Sequence, residues 1–263
     1  MTYETITLNT DARGVARLTL NRPEKHNALN GQLITELHHA ADALAADDSV
    51  RVVALSGEGK SFCAGGDFNW FKGNAEADRA TRTYEGMKLA HMLNAMNALP
   101  KPLIGRIQGS AYGGGVGMIS VCDITVGVKT ARFGLTEVRL GLIPATISPH
   151  VVARIGTANS RATMLSGALF DAARAEKIGL LNEVVAVGDL DTRIDEIIDD
   201  HLEAALGAVG ETKRLIAYVA SHDIHDNMAY TADGLADAWE TEEGQTGINC
   251  FLNKKLPPWR SGK

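Results

Sequence analysis

Cysteine is scarce. Cys63, Cys122 and Cys250 are spread over a 263-residue chain. They are odd in number and lack metal-ligand spacing, so neither a disulfide framework nor a metal site is expected. A reducing cytoplasm suits such a chain. Positive charge is also in deficit: 26 Lys and Arg stand against 32 Asp and Glu, a formal net charge of −6. That balance gives no bulk attraction to nucleic acid or to an anionic membrane. Long apolar runs are missing too. The most apolar region, residues 102–128, is cut by Arg106, Gln108, its glycines and Asp123, which excludes a membrane span. The opening MTYETITLNTDARG has no basic segment followed by an apolar one and is not expected to be a signal peptide. No low-complexity tract, linker or fixed-period repeat is visible.

What is present is a strand-rich first part and a helical tail. Residues 5–10 and 15–21 alternate apolar and polar side chains around the turn sequence Asp11-Ala-Arg-Gly14, which predicts two strands. Pro23 breaks the second, and Asn30 is placed to cap a helix over 31–46. Residues 50–56 and 103–107 read as strands buried on both faces. SFCAGGDF (61–68) reads as a glycine turn. A longer helix is expected over 75–98; its Met-rich face suits either the core or a mobile wall for an acyl chain. A short helix near 116–122 and a strand at 123–128 follow. Residues 149–155 and 160–165 read as short helices, the second capped by Asn159. Residues 169–178 and 183–187 add a short element and a strand. From 189 onward helices are expected at 194–206, 212–221, 224–241 and 246–253, ending at Leu256-Pro-Pro-Trp259. The change of character near 190 divides the chain into 1–190 and 191–263.

Three features carry chemistry. Gly113-Gly114-Gly115, between a strand and a helix, lets the backbone approach a ligand and present N–H groups. It matches neither the dinucleotide nor the P-loop pattern, and read alone it equally suits close packing. Ala64-Gly65-Gly66-Asp67 also follows a buried strand. Two such strand ends can each give one N–H to the same oxygen, which is how an oxyanion hole is made. Glu137, in FGLTEVRLG, sits in an apolar setting between Gly134 and Gly141. A carboxylate there has reason to hold a raised pKa and act as acid and base in turn. Read alone, it is equally an exposed residue pairing with Arg139.

Taken together, NRPEKHNALN, SFCAGGDF, KPLIGRIQGSAYGGGVGMISVCDI, FGLTEVRLGLIP and GINCFLNKKLPPW resemble the enoyl-CoA hydratase/isomerase (crotonase) superfamily, from about residue 4 to 259. The resemblance implies an α/β fold: a crotonase-like spiral of ββα turns with a C-terminal helical trimerisation region, assembling as a homotrimer or homohexamer. It implies an acyl-CoA thioester as ligand, coenzyme A being part of the substrate and no separate cofactor being needed. By motif matching, Gly66 and Gly114 are the N–H donors to the thioester oxygen and Glu137 is the catalytic carboxylate. Lys25, Ala28, Ala64, Asp67 and Phe68 match substrate or CoA contacts, with Phe251 and Lys254 as further candidates.

One departure matters. The family's two-carboxylate hydratases carry a second Glu where this chain has Gly117. With Glu137 alone, two reactions fit: reversible addition of water to a 2-enoyl-CoA, or movement of a proton between C2 and C4 by an isomerase. On the first reading Gly117 leaves room for a substrate branch. A homologue that binds acyl-CoA without turnover is a third reading. The run ATISPHVVARIG after Pro144 replaces a Gly-rich turn and resembles a bacterial methylglutaconyl-CoA or carboxygeranoyl-CoA hydratase branch. Such substrates carry an extra carboxylate, for which Ser148, His150 and Arg154 are the nearby candidate partners.

Overall fold

The computed structural model describes residues 2–260. In chain order the elements are β1 (Ile6–Thr10), β2 (Val15–Leu20), α1 (Gly31–Ala46), β3 (Val52–Gly57), β4 (Ser61–Cys63), α2 (Phe68–Glu76), α3 (Arg79–Asn97), β5 (Leu103–Ile107), β6 (Ser110–Tyr112), α4 (Gly114–Ser120), β7 (Ile124–Val128), β8 (Arg132–Gly134), α5 (Ser148–Met164), β9 (Phe170–Asp171), α6 (Ala172–Lys177), β10 (Glu183–Val185), α7 (Leu190–Leu202), α8 (Leu206–Ser221), α9 (Ile224–Glu240) and α10 (Glu242–Leu252).

Two sheets organise the chain. The larger runs β1-β2-β3-β5-β7-β10, parallel except for the β1–β2 hairpin. Its strands are rich in Val, Ile and Leu because helices cover much of their surface. Leu33, Leu37, Ala41 and Leu44 of α1 and Met92, Leu93 and Met96 of α3 enter one continuous core with Leu18, Val53, Leu55 and Ile104. The Met-rich face of α3 is therefore core at Met92 and Met96, while Met87 stays exposed. Asn30 caps α1 as expected, its side chain accepting from the Leu33 N–H at 2.9 Å.

The smaller sheet, β4-β6-β8-β9, has strands of two or three residues. SFCAGGDF is thus more than a turn: it holds β4, the glycines and the start of α2. The long helix expected over 75–98 is two helices, because Ala77 is extended and Asp78 starts α3 by accepting from the Thr81 N–H. The pair expected at 149–155 and 160–165 is divided at Gly156, whose φ of 74° and ψ of 161° interrupt α5. Asn159 does not cap the second half: its side chain donates to the Ile155 carbonyl. The core continues through α7, where Leu190, Ile194, Ile197 and Ile198 are buried, and Arg51 donates to the Leu202 and Ala204 carbonyls at its end. In α8–α10, by contrast, Ile216, Ile224, Met228, Leu235, Trp239, Phe251 and Leu252 are exposed.

Candidate active site

The small sheet builds the site. β4 and β6 run parallel, with Cys63 opposite Ala111, and β6 and β8 run parallel, with Tyr112 opposite Gly134. The carboxyl ends of these strands deliver three segments to one place: the glycines after β4, the glycines after β6, and Glu137 after β8. Ligand sites form at the carboxyl ends of parallel strands for this reason in open α/β sheets. The Gly113 N–H donates to the Gly134 carbonyl at 2.9 Å and ties the last two segments together.

The direction of two N–H groups follows from bonds made by their neighbours. The Leu29 N–H donates to the Gly65 carbonyl at 2.7 Å, and the Asp67 N–H donates to the Leu29 carbonyl at 2.8 Å. Every described peptide bond is trans. In a trans peptide the carbonyl and the next N–H point opposite ways. With the Gly65 carbonyl turned to Leu29, the Gly66 N–H faces away from it. Likewise the Gly113 carbonyl accepts from the Gly117 N–H inside α4, so the Gly114 N–H points out of the helix start. First-turn N–H groups have no acceptor within their helix. Gly113 makes this turn at φ 47°, ψ −116°, a conformation suited to glycine, and a β-carbon there would lie 2.9 Å from Glu137 Oε1.

Gly66, Gly114 and Glu137 line one cavity of about 340 Å³. Ala64 also lines it. The rest of the wall is mostly apolar, including Leu29, Ile34, Phe71, Leu89, Ile143 and Ile147, with the Trp70 indole anchored by donation to Glu85 at 3.2 Å. Glu85 is in turn paired with Lys88.

Glu137 begins a short 3-10 turn, Glu137–Leu140. Burial pushes its carboxyl pKa above the ordinary glutamate range, and its own backbone N–H offsets part of that rise. Among the described residues its Oε2 is buried without a hydrogen-bond partner. The alternative pairing with Arg139 is not made; Arg139 donates instead to the Ser166 carbonyl. A half-buried carboxylate with one unoccupied oxygen, beside two outward N–H groups, is equipped to hold water or take a proton.

Other expected contacts lie behind or beside the cavity. Asp67 is buried and caps α2, accepting from the Asn69 N–H at 2.8 Å and pairing with Arg22 at 3.0 Å. Burial alone would raise its pKa, but the Arg22 and backbone donors outweigh it and hold the carboxyl below the usual range. Ala28 is buried, and its carbonyl accepts from Arg22. The loop 21–30 is thereby pinned to the AGGD segment. Lys25 and Phe68 are exposed and outside the cavity wall, as are Phe251 and Lys254.

The position of Gly117 departs from expectation. A β-carbon there would lie 2.6 Å from Ile147 Cγ2 and 2.9 Å from Ile147 Cβ. The volume left by the missing side chain is filled by Ile147 rather than open to a substrate branch. The expected carboxylate partners also fail to gather at the cavity. The Ser148 hydroxyl donates to the Ala145 carbonyl. Arg154 donates to the Cys122 and Gly179 carbonyls, Thr125 Oγ1 and Asn182 Oδ1, tying α5 to the main sheet. His150 is half-buried in the first turn of α5, where burial lowers its pKa, and it does not line the cavity. Ile147 and the Arg22–Asp67 pair escape sequence reading because each contact joins segments distant in the chain.

Comparison with known proteins bears on the fold and the family. A Rhizobium meliloti protein named "Probable enoyl-CoA hydratase" is 33% identical, with 97% of each chain covered. The crystal structure of an enoyl-CoA hydratase from Shewanella pealeana superposes with a TM-score of 0.94 at 31% identity, covering 97% of this chain and 96% of that one. An enoyl-CoA hydratase of Mycobacterium smegmatis gives 0.92 at 30% identity, covering 97% and 99%. The family model described as enoyl-CoA hydratase/isomerase matches residues 10–262, and the chain belongs to that family of enzymes.

Proposed function

We propose that this enzyme adds water reversibly to a 2-enoyl-CoA whose acyl group is uncharged, with Glu137 as its one catalytic carboxylate. The observation that carries the reading is the convergence of the Gly66 and Gly114 N–H groups and Glu137 on one apolar cavity. The thioester oxygen accepts from both N–H groups. The Glu137 carboxylate takes a proton from water as the water oxygen bonds to C3. The C2–C3 double-bond electrons move to make the enolate, whose charge rests on the thioester oxygen. Glu137 then returns the proton to C2, giving the 3-hydroxyacyl-CoA and restoring the carboxylate. Dehydration runs the same steps backwards.

The methylglutaconyl-CoA or carboxygeranoyl-CoA assignment calls for a basic or hydroxyl partner to the second carboxylate; Tyr112, Thr136 and Thr146 bring hydroxyls to the wall, but a hydroxyl supplies no countercharge. Among the described residues no Lys, Arg or His lines the cavity, and burying an unpaired carboxylate is costly. The acyl groups that suit the wall are therefore apolar, straight or branched. The exposed apolar side chains on α8–α10 support assembly into a trimer or hexamer through that region.

A second reading rests on the same lone carboxylate. With no second acid-base group among the described lining carboxylates, Glu137 is also placed to carry a proton between C2 and C4. A panel of 2-enoyl and 3-enoyl thioesters separates the two. Loss of enoyl-thioester absorbance from crotonyl-CoA supports hydration, whereas gain of that absorbance from a 3-enoyl-CoA alone supports isomerisation. Turnover of 3-methylglutaconyl-CoA in preference to crotonyl-CoA would overturn the uncharged-acyl assignment.

A further inference from the structure

We infer that Ile147 sets the depth of the acyl pocket and is the residue through which this chain selects among acyl thioesters, an inference that rests on the acyl-CoA reading above. Ile147 is buried, yet it lines the cavity, so one side of it faces the ligand space. Its other side fills the volume over Gly117, to which Leu93 Cδ1 also comes within 3.8 Å of a β-carbon position. Ile147 is therefore the partition between the cavity and the Gly117 position of α4. Space that a side chain on α4 would occupy has passed to this isoleucine and not to the substrate.

The local backbone fixes the position of Ile147. Ile147 is the N-cap of α5, at φ −85° and ψ −19°, with no side-chain capping bond. That backbone is already helical, and the Ser148 N–H donates to the Ala145 carbonyl, so the chain enters α5 directly from a turn that fixes Ile147 in the wall. The helix start falls to Pro149 in its first turn, and the Ser148 hydroxyl is turned back to the Ala145 carbonyl. The neighbouring wall, including Leu89 and Ile143, is apolar. Opening it at 147 would admit a longer chain or a methyl branch, not a charged group.

The test measures kcat/KM for crotonyl-CoA, longer straight-chain 2-enoyl-CoAs and their 3-methyl counterparts. The enzymes are wild type, Ile147→Val, Ile147→Ala, Gly117→Ala and the Gly117→Ala/Ile147→Ala double variant. Ile147→Ala is expected to raise the preference for longer or branched thioesters over crotonyl-CoA by about tenfold or more, the scale set by added methylenes in an apolar pocket. Ile147→Val should move the same ratio less, in the same direction, and it keeps the test decisive if the alanine variant folds badly. Gly117→Ala alone should lower turnover of every thioester, and adding Ile147→Ala should restore it, because the two side chains compete for one volume. An equal change for every thioester in both Ile147 variants, or independent effects of the 117 and 147 substitutions, would overturn the proposal. If wild type turns over no 2-enoyl-CoA while binding acyl-CoA, the hydratase reading itself fails. Wild-type turnover with unaltered selectivity in the variants counts against Ile147 alone.

Discussion

The role proposed for Glu137 rests on surroundings poor in partners. The side chain has a buried oxygen with no partner among the described residues and a pKa pushed up by burial. Glu137→Gln keeps the shape and removes the base, so kcat should fall about a thousandfold with little change in KM. The base form is needed for water addition. The acid limb of the kcat/KM–pH profile should therefore lie above the ordinary glutamate pKa of about 4.3, and be absent from residual Gln activity. At the proposed oxyanion position, a β-carbon on Gly114 would lie 2.5 Å from Leu29 Cδ1. Gly114→Ala should displace the donor and cost about a hundredfold in kcat, read by steady-state kinetics on crotonyl-CoA. The glycine turns and Glu137 stood out in the sequence as strand-end glycines and a single carboxylate in an apolar run, and the fold brings them to one cavity; the roles proposed for them come from the family resemblance. Ile147 did not stand out, since its partner Gly117 lies thirty residues away and no local pattern marks the contact.

At the scale of elements, the site depends on strands too short to read. β4, β6 and β8 have three residues each, less than the alternation needed to identify a strand. The longer β1, β2, β3 and β5 and the capped α1 were legible, because periodicity and an N-cap residue act locally. Asp67 joins the start of α2 to the loop 21–30, capping α2 and pairing with Arg22, and Leu29 at the end of that loop bonds to Gly65 and Asp67 of the AGGD segment. Asp67→Ala should cost roughly 2–4 kcal/mol at neutral pH, combining a lost cap with a largely buried Arg left unpaired. The Asp67 pKa is lowered in the fold. Its contribution is thus present above the unfolded pKa and lost as pH falls through the folded one. Urea melts should show the wild-type advantage narrowing below about pH 4.

For the whole molecule, the proposed catalytic role of Glu137 and stability pull against each other. A carboxyl whose folded pKa is raised favours the folded state most when protonated, and that contribution is lost as pH rises through the folded pKa. At pH 7 the charged carboxylate is a burden, and Glu137→Gln should raise Tm there. The gain should vanish below about pH 4, where the unfolded-state glutamate is also protonated. Assembly belongs to this scale too. The apolar side chains left open on α8–α10 predict a solution mass at three or six times the 28.0 kDa chain, which light scattering reads directly; a monomer at micromolar concentration would contradict it. The helical tail was visible in the sequence, but its exposed faces emerge only when α8–α10 are placed beside a core that largely ends at α7.

In the proposed reaction Glu137 passes a water across the double bond of a thioester held by the Gly66 and Gly114 N–H groups. Its most direct test is incubation of crotonyl-CoA in ¹⁸O-labelled water with wild type and Glu137→Gln, followed by mass spectrometry of the product. Wild type should give 3-hydroxybutyryl-CoA carrying one ¹⁸O at C3, and the Gln variant only a trace in the same time. Equal labelling by both enzymes, or no labelled product from a wild-type enzyme that binds the thioester, would contradict the account.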